Sequence, residues 1–241
     1  MNFGIIAAGE GSRLVEEGVA YPKPLVPLGG RPMIGRLIDI FIKNGAERIA
    51  VIVNEEMKEV REYLFSLQDM LAVELTIIIK STPSSMHSFY EIASVLGKHG
   101  RFIATTVDTI FHEEDFSRYV AAYESAGNDI EGMMALTRYI DDEKPLYVEV
   151  NRSGDITAFL DNAPDKPEFV SGGIYGLNGT AVKVLDDCLS KGVSRMRNFQ
   201  RELIASGLKI KGYDMGKIID VDHAGDIKKA EEFLGITGCL Q

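Results

Sequence analysis

The residues best suited to chemistry lie in one short run, Ala7-Ala8-Gly9-Glu10-Gly11-Ser12-Arg13-Leu14, directly after an apolar stretch. Small residues from Ala7 to Gly11 let a backbone approach a flat base or a phosphate closely, with N–H groups aimed at the ligand. A nucleotide is the guest this implies, with Ala7, Ala8, Gly9, Gly11 and Ser12 as its candidate contacts. The competing reading of Gly9 and Gly11 is a bare turn after a strand. Arg13 favours the ligand, because a tight glycine turn needs no cation. Leu14 stands where the third glycine of a Gly-x-Gly-x-x-Gly fingerprint belongs, and no Gly-Lys-Ser/Thr follows, so two widespread nucleotide folds are disfavoured. Further on, Pro22-Lys23-Pro24 fixes the backbone on both sides of a lysine and holds a cation in a defined place. That suits a phosphate ligand, although a rigid exposed loop would read the same way.

These residues need elements to position them, and the apolar pattern supplies candidates. Phe3–Ala8, Arg48–Val53, Glu74–Lys80 and Phe102–Val107 read as strands, alternating with helices at Met33–Asn44, Glu56–Leu67 and Met86–Leu96. Ile- and Val-rich runs separated by helices of about three turns predict a largely parallel sheet buried on both faces. Ligands of such sheets lie beyond the carboxyl ends of the strands. Asp108 follows the strand ending at Val107, at that edge, and reads either as a metal carboxylate or as a cap of the next turn. Ser81-Thr82-Pro83-Ser84-Ser85-Met86-His87 opens a helix at the same edge, where Ser84 and Ser85 either contact the nucleotide or simply cap the helix. After Asp108 the pattern turns mixed. A helix at Glu114–Ala126 precedes strands at Gly132–Arg138, Leu146–Val150, Ile156–Leu160 and Val170–Gly176, expected as antiparallel additions to the sheet. Helices at Gly179–Leu189, Met196–Ser206 and Ala224–Leu234, with short strands at Lys209–Asp214 and Lys217–Val221, complete the chain.

The chain has 241 residues, 45% of them hydrophobic and 26% charged, which is the composition of one globular domain with a real core. Its 26 Lys and Arg against 36 Asp and Glu give a net charge of −10, which disfavours non-specific binding to nucleic acid. No apolar run approaches the roughly 20 residues that span a bilayer, so no membrane partner is expected. Met1 is followed at once by the strand-like Asn2–Ala8, no secretory leader is read, and the cytoplasm is the expected compartment. Cys188 and Cys239 lie far apart without a Cys-x-x-Cys pattern and are expected to be structural. A homo-oligomer is neither required nor excluded.

Taken together, Gly9-Glu10-Gly11-Ser12-Arg13, then Lys23-Pro24-Leu25, then Gly30-Arg31-Pro32-Met33-Ile34 resemble the signature of nucleotidyltransferases that make nucleoside-diphosphate sugars and related activated alcohols. The resemblance implies their fold, an α/β three-layer α/β/α sandwich around a mixed, mainly parallel sheet. It implies a single domain over residues 1–241, with a nucleotide-binding half at 1–110 and an acceptor-binding half at 111–241. It also implies Mg²⁺, held by Asp108 and by Asp222 of Asp220-Val221-Asp222-His223, with Asp220 a weaker candidate. Val107 stands where the family has glycine, and His223-Ala224 where it has Thr-Pro. On the acceptor side, Asp161-Asn162 replaces the family's Glu-Lys, while Ser171-Gly172-Gly173 resembles its next strand, so Asp161, Gly172 and Gly173 are the expected acceptor contacts. Lys183, Arg195 and Arg197 are spare cations without an assigned place.

The implied reaction is attack by an acceptor phosphate on the α-phosphorus of an NTP, with release of pyrophosphate. Such a nucleophile is already ionised near pH 7, so charge neutralisation and alignment by Arg13 and Lys23 are the catalytic requirements. The partners expected are thus an NTP and a phosphorylated small molecule, a sugar 1-phosphate or a phospho-alcohol. Two alternatives remain at this stage. A nucleotide-sugar-dependent glycosyltransferase would carry Asp-x-Asp, which Asp108-Thr109-Ile110 lacks, and a non-catalytic nucleotide-binding regulator would tolerate the departures at Val107, Asp161 and His223.

Overall fold

The computed structural model describes residues 1–141 and 143–236. Strand β1 (Asn2–Ala7) leads through helix α1 (Ser12–Glu16) and a single 3-10 turn at Lys23–Leu25 into a small hairpin, β2 (Pro27–Leu28) and β3 (Arg31–Pro32). Then come α2 (Met33–Lys43), β4 (Arg48–Val53), α3 (Lys58–Gln68), β5 (Glu74–Ile79), α4 (Ser85–Leu96) and β6 (Phe102–Thr106). The second half holds β7 (Thr109–Ile110), α5 (Glu113–Ser125), β8 (Gly132–Thr137), β9 (Tyr147–Val150), β10 (Ile156–Leu160) and β11 (Phe169–Leu177). It closes with α6 (Gly179–Ser190), α7 (Met196–Ala205), β12 (Ile210–Asp214), β13 (Ile219–Asp220) and α8 (Ala224–Phe233). The alternation expected from the apolar runs is therefore present; α1, the β2–β3 hairpin and β7 were too short to show in the pattern.

Strands β5, β4, β1 and β6 lie side by side and parallel. Strand β11 runs antiparallel to β6 and to β8, and β12 adds parallel to β8. One sheet of nine strands results, mixed as expected. Alternate residues of β1 face opposite layers, as the strand period requires. Phe3, Ile5 and Ala7 enter a core with α2, α3, α5 and α8, where Phe3 stacks on Phe41 at 4.5 Å. Ile6 enters the other core, with α4, α6 and α7. Gly4 faces α4 so closely that a Cβ would stand 2.5 Å from Ile92 Cγ2. The architecture is a three-layer α/β/α sandwich.

Two departures from a regular sheet shape the edge at the carboxyl end of β6. Between Ser171 and Tyr175 the register of β11 on β8 shifts, and Gly173 takes φ 72°, a conformation that favours glycine. The strand therefore bends where it passes β6. Beyond the sheet, β13 pairs with β7 and the Val221 N–H donates to Asp108 O at 3.1 Å. This small ladder carries the C-terminal segment back to the end of β6. Val221 itself is fully buried, which fixes Asp220 and Asp222 on its outer side.

Candidate active site

A cleft of about 590 Å³ opens at the carboxyl ends of β1 and β6, lined by Ala8, Gly9, Gly11, Ser12, Lys23, Ser84, Ser85 and Asp108. A Cβ on Gly9 would meet nothing within 4 Å, so no protein neighbour accounts for its lack of a side chain. Gly11 has a packing reason instead. It caps α1 at φ 63°, and a Cβ there would lie 2.7 Å from Lys23 Cβ. Ala7 departs from expectation: it is 1% exposed, belongs to the core and does not line the cleft, because the side-chain period of β1 turns it inward and gives its place to Ile6.

Lys23 is the centre of the site. The turn between Pro22 and Val26 buries it to 8% exposure and sets its Nζ 2.5 Å from Asp108 Oδ2 and 2.6 Å from Asp222 Oδ1. Burial alone would pull its pKa down; the two carboxylates outweigh burial and hold it above the usual lysine value. Lys23 is thus a fixed ammonium, charged at neutral pH. Arg13 sits apart from the cleft wall, half exposed, with its guanidinium 3.6 Å from Asp222 Oδ2 and 4.0 Å from Glu143 Oε2. It lines a neighbouring cavity of about 220 Å³, which Gly172, Asp220 and Asp222 also bound.

Asp108 and Asp222 form a donor set whose fit to Mg²⁺ can be judged from their oxygens. Asp108 gives Oδ2 to Lys23, and its buried Oδ1 accepts no hydrogen bond. Among the described residues no group of three His, Cys, Asp or Glu could hold a metal. A pair is what Mg²⁺ ordinarily takes from protein, since substrate phosphates and water complete its shell. The unpartnered Oδ1 and the half-exposed Asp222 fit that requirement. The His223-Ala224 departure leaves the helix start sound: the Asp226 carboxylate accepts from the His223 N–H at 2.9 Å, and Glu17 accepts from the Ala224 N–H at 2.6 Å. Glu17 also meets His223 Nδ1 at 2.6 Å, which lowers the Glu17 pKa and raises that of His223.

Ser84 occupies the N-cap of α4, but its hydroxyl turns to His87 Nδ1 at 2.8 Å rather than to the helix N–H groups. Ser85 begins the helix and lines both the glycine-lined cleft and a second cavity. That cavity, about 280 Å³, adjoins Asp108 and Asp222 and is walled by Lys144, Ser171, Gly173, Tyr175, Arg195 and Gln200 among others. Burial, together with Asp220 and Asp108, drives the Tyr175 phenol far above its ordinary pKa, so it stays neutral.

The expected acceptor contacts divide. Gly173 lines this second cavity; Gly172 faces the other one, where a Cβ would stand 2.4 Å from Ile218 Cδ1. Asp161 lines neither. Its carboxylate takes Arg197 at 2.6 Å and Arg201 at 2.8 Å, tying the end of β10 to α7. Of the unassigned cations, Arg195 and Arg197 reach the cavity wall, whereas Lys183 is exposed on α6. Arg195 is the sole described non-glycine residue with positive φ, 74°, at the N-cap of α7. Sequence reasoning missed Lys144, Thr106 and Gln200; a glutamine on the inward face of an amphipathic helix was the available signal for the last. Cys188 is buried and free, while Cys239 lies outside the described residues. No described helix is long and apolar enough to cross a membrane.

Among curated proteins, the chain is 26% identical over 233 residues to the bifunctional protein GlmU of Methanococcus maripaludis, covering 94% of this chain and 52% of that protein. It spans about half the length of the curated relatives it matches. One of these, a mannose-1-phosphate guanyltransferase of Schizosaccharomyces pombe, is 29% identical over 181 residues, 72% of this chain and 48% of that one. Among solved structures, a putative glucose-1-phosphate thymidylyltransferase from Bacillus anthracis superposes with a TM-score of 0.83 at 17% identity, covering 100% of this chain and 98% of that one. That likeness confirms the sandwich fold. The sequence model of the family described as nucleotidyl transferase matches residues 4–216, from the first strand past the bulged strand to β12, and the chain belongs to that family.

Proposed function

We propose that the chain transfers a nucleotidyl group from a nucleoside triphosphate to a phosphorylated acceptor, a sugar 1-phosphate or a phospho-alcohol, and releases pyrophosphate. The observation that carries this reading is the buried Lys23 ammonium held between Asp108 and Asp222, at the junction of the glycine-lined cleft and the second cavity. The name of the Schizosaccharomyces pombe relative, a mannose-1-phosphate guanyltransferase, supports the same chemistry. In this reading residues 1–110 supply the nucleotide cleft and residues 111–241 most of the acceptor cavity.

The acceptor phosphate oxygen attacks the α-phosphorus of the NTP. A new P–O bond forms, the bond from the α-phosphorus to its bridging oxygen breaks, and pyrophosphate leaves with the electron pair. No side chain has to remove a proton, because the attacking phosphate is already an anion. Backbone N–H groups of the Ala8–Ser12 loop hold the triphosphate, and Lys23 and Arg13 neutralise the charge that develops along the line of displacement. Asp108 and Asp222 would hold Mg²⁺. When bound, that ion supplies further charge neutralisation on the phosphate oxygens. Ser84, Ser85 and Thr82 line the same cleft and are assigned to the nucleoside.

The test is pyrophosphate release with Mg²⁺, with CTP, UTP, GTP, ATP and dTTP each set against a panel of sugar phosphates and phospho-alcohols. Release that depends on one nucleotide and one acceptor is the expected outcome. Nucleotide binding without release from any pair refutes the proposal in favour of a non-catalytic nucleotide-binding regulator.

A further inference from the structure

We infer that Glu17 is a positioning residue for nucleotidyl transfer: by joining the end of α1 to the start of α8, it sets the Asp222 carboxylate against Arg13 and Lys23. The inference rests on the transfer reading of the adjoining cleft, and adds a residue that lines neither that cleft nor the two cavities beside it. Glu17 closes α1, where its N–H donates to Arg13 O at 3.0 Å. Its carboxylate reaches a segment 206 residues away along the chain. There Oε1 meets His223 Nδ1 and Oε2 accepts from the Ala224 N–H, each at 2.6 Å. One residue therefore touches both the backbone of Arg13 and the turn that follows Asp222.

Asp222 depends on such a hold. Its side chain is 47% exposed, so packing does little to fix it. Its oxygens meet Lys23 at 2.6 Å and Arg13 at 3.6 Å, and both cations must also serve the triphosphate. Its place is thus set through its backbone. On one side, buried Val221 donates to Asp108 O at 3.1 Å. On the other, the Asp226 carboxylate accepts from the Asp222 and His223 N–H groups at 3.3 and 2.9 Å, but Asp226 belongs to α8 and moves with it. Glu17 ties the first turn of that helix to a different element, the one that carries Arg13.

The chemistry of the tie suits this task. Ala224 is the first residue of α8, and its N–H has no acceptor within the helix. A carboxylate answers that donor with a charge-assisted hydrogen bond, and it also complements the positive end of the helix dipole. Glu17 and His223 are 38% and 40% exposed, and exposed pairs contribute little to global stability. The contact accordingly acts on where Asp222 stands rather than on whether the chain folds.

The experiment measures pyrophosphate release, with kcat and KM separated, and melting temperature in Glu17→Ala, Glu17→Gln, Ala224→Pro and the double variant Glu17→Ala with Ala224→Pro. Proline suits a first helical position, and His223 at φ −121°, ψ 157° already holds the extended conformation required before proline, so only the N–H is removed. Glu17→Ala should lower kcat about tenfold, with both KM values and the melting temperature close to those of the wild type. Glu17→Gln keeps an oxygen for the Ala224 N–H and an amide for His223, and should recover most of the rate. Ala224→Pro should also be slow, and the double variant no slower than Glu17→Ala alone. Independently of turnover, Mg²⁺ is titrated against Lys23→Ala; the rise in melting temperature should shrink by roughly half or more once Glu17→Ala is added. A kcat in Glu17→Ala within twofold of the wild type overturns the inference. So does Glu17→Gln as slow as Glu17→Ala, multiplied losses in the double variant, or an Mg²⁺ effect indifferent to Glu17. An Mg²⁺ effect that depends on Glu17, without pyrophosphate release from any pair of substrates, overturns the transfer reading alone and leaves the hold on Asp222 standing.

Discussion

Replacing Lys23 by alanine separates catalysis from folding in a way the geometry lets one calculate. Asp108 Oδ2 and Asp222 Oδ1 both touch the same nitrogen, at 2.5 and 2.6 Å, so the two oxygens lie no more than about 5 Å apart. With the ammonium gone, two unit charges at that separation repel by about 3 kcal/mol at an effective dielectric near 20. Asp222 is 47% exposed, and solvent screens part of that repulsion, so the loss of stability should be nearer ~1–2 kcal/mol. Loss of a cation aimed at the developing charge removes about 3–4 kcal/mol from the transition state, a factor of roughly 100 to 1,000 in turnover. Activity should therefore fall much further than stability. Initial rates of pyrophosphate release give the first quantity and urea melts the second. The same variant tests the carboxylate pair. With the lysine removed, Mg²⁺ should raise its melting temperature more than it raises that of the wild type. Lys23 has its folded pKa raised, so its stabilising effect is complete below the ordinary lysine value of about 10.4 and lost only as pH climbs through the raised one. The comparison at pH 7 is accordingly free of lysine titration. Turnover of Lys23→Ala within tenfold of the wild type would refute the reasoning.

Three more outcomes are expected. Gly11→Ala forces a side chain into φ 63° and 2.7 Å from Lys23 Cβ; it should destabilise by about 1–2 kcal/mol in a urea melt and, by displacing Lys23, slow turnover about 100-fold. The His223–Glu17 pair adds stability above the ordinary glutamate pKa that is lost as pH falls through the lowered Glu17 value, and stability below the ordinary histidine pKa that is lost as pH rises through the raised His223 value. An NMR titration should place His223 above about 6.5, and Glu17→Gln should move its midpoint down; no movement would mean the pair does not form in solution. Asp161→Ala frees Arg197 and Arg201 and should raise the acceptor KM several-fold, while the NTP KM and the melting temperature barely change, because exposed pairs contribute little to stability.

The parallel half of the fold was legible in the sequence because its strands are buried on both faces, and near-continuous Ile and Val runs such as Ile49–Val53 leave little choice of element. Lys23 and Asp108 were legible for a related reason, each being pinned by local chemistry: prolines on either side of the lysine, and the end of a strand before the aspartate. What failed were inferences about direction. Ala7 belongs to the same small-residue run as Ala8, yet one step along a strand turns it into the core. Asp161 looked like an acceptor contact by its position in the chain; its partners, Arg197 and Arg201, lie on a helix 36 and 40 residues away, and no local pattern announces them. The same blindness hid Gln200, which lines the second cavity and whose amide meets Ser171 of β11, 29 residues away along the chain.

The clasp made by β13 and α8 sets the order in which the active site can come into being. Lys23 and Asp222 are 199 residues apart along the chain, and closing so long a loop costs only about 2–3 kcal/mol more than closing one of ten residues. That entropy is met by apolar burial of Ile219, Val221 and Ala230 rather than by the ion pair. The clasp is accordingly a small apolar latch carrying one carboxylate, and contacts of such long range are slow to form. A nascent chain can shape its glycine-lined cleft while the last carboxylate is still absent. In the mature protein, loosening of this latch alone would switch the centre off while the nine-stranded sheet stays folded.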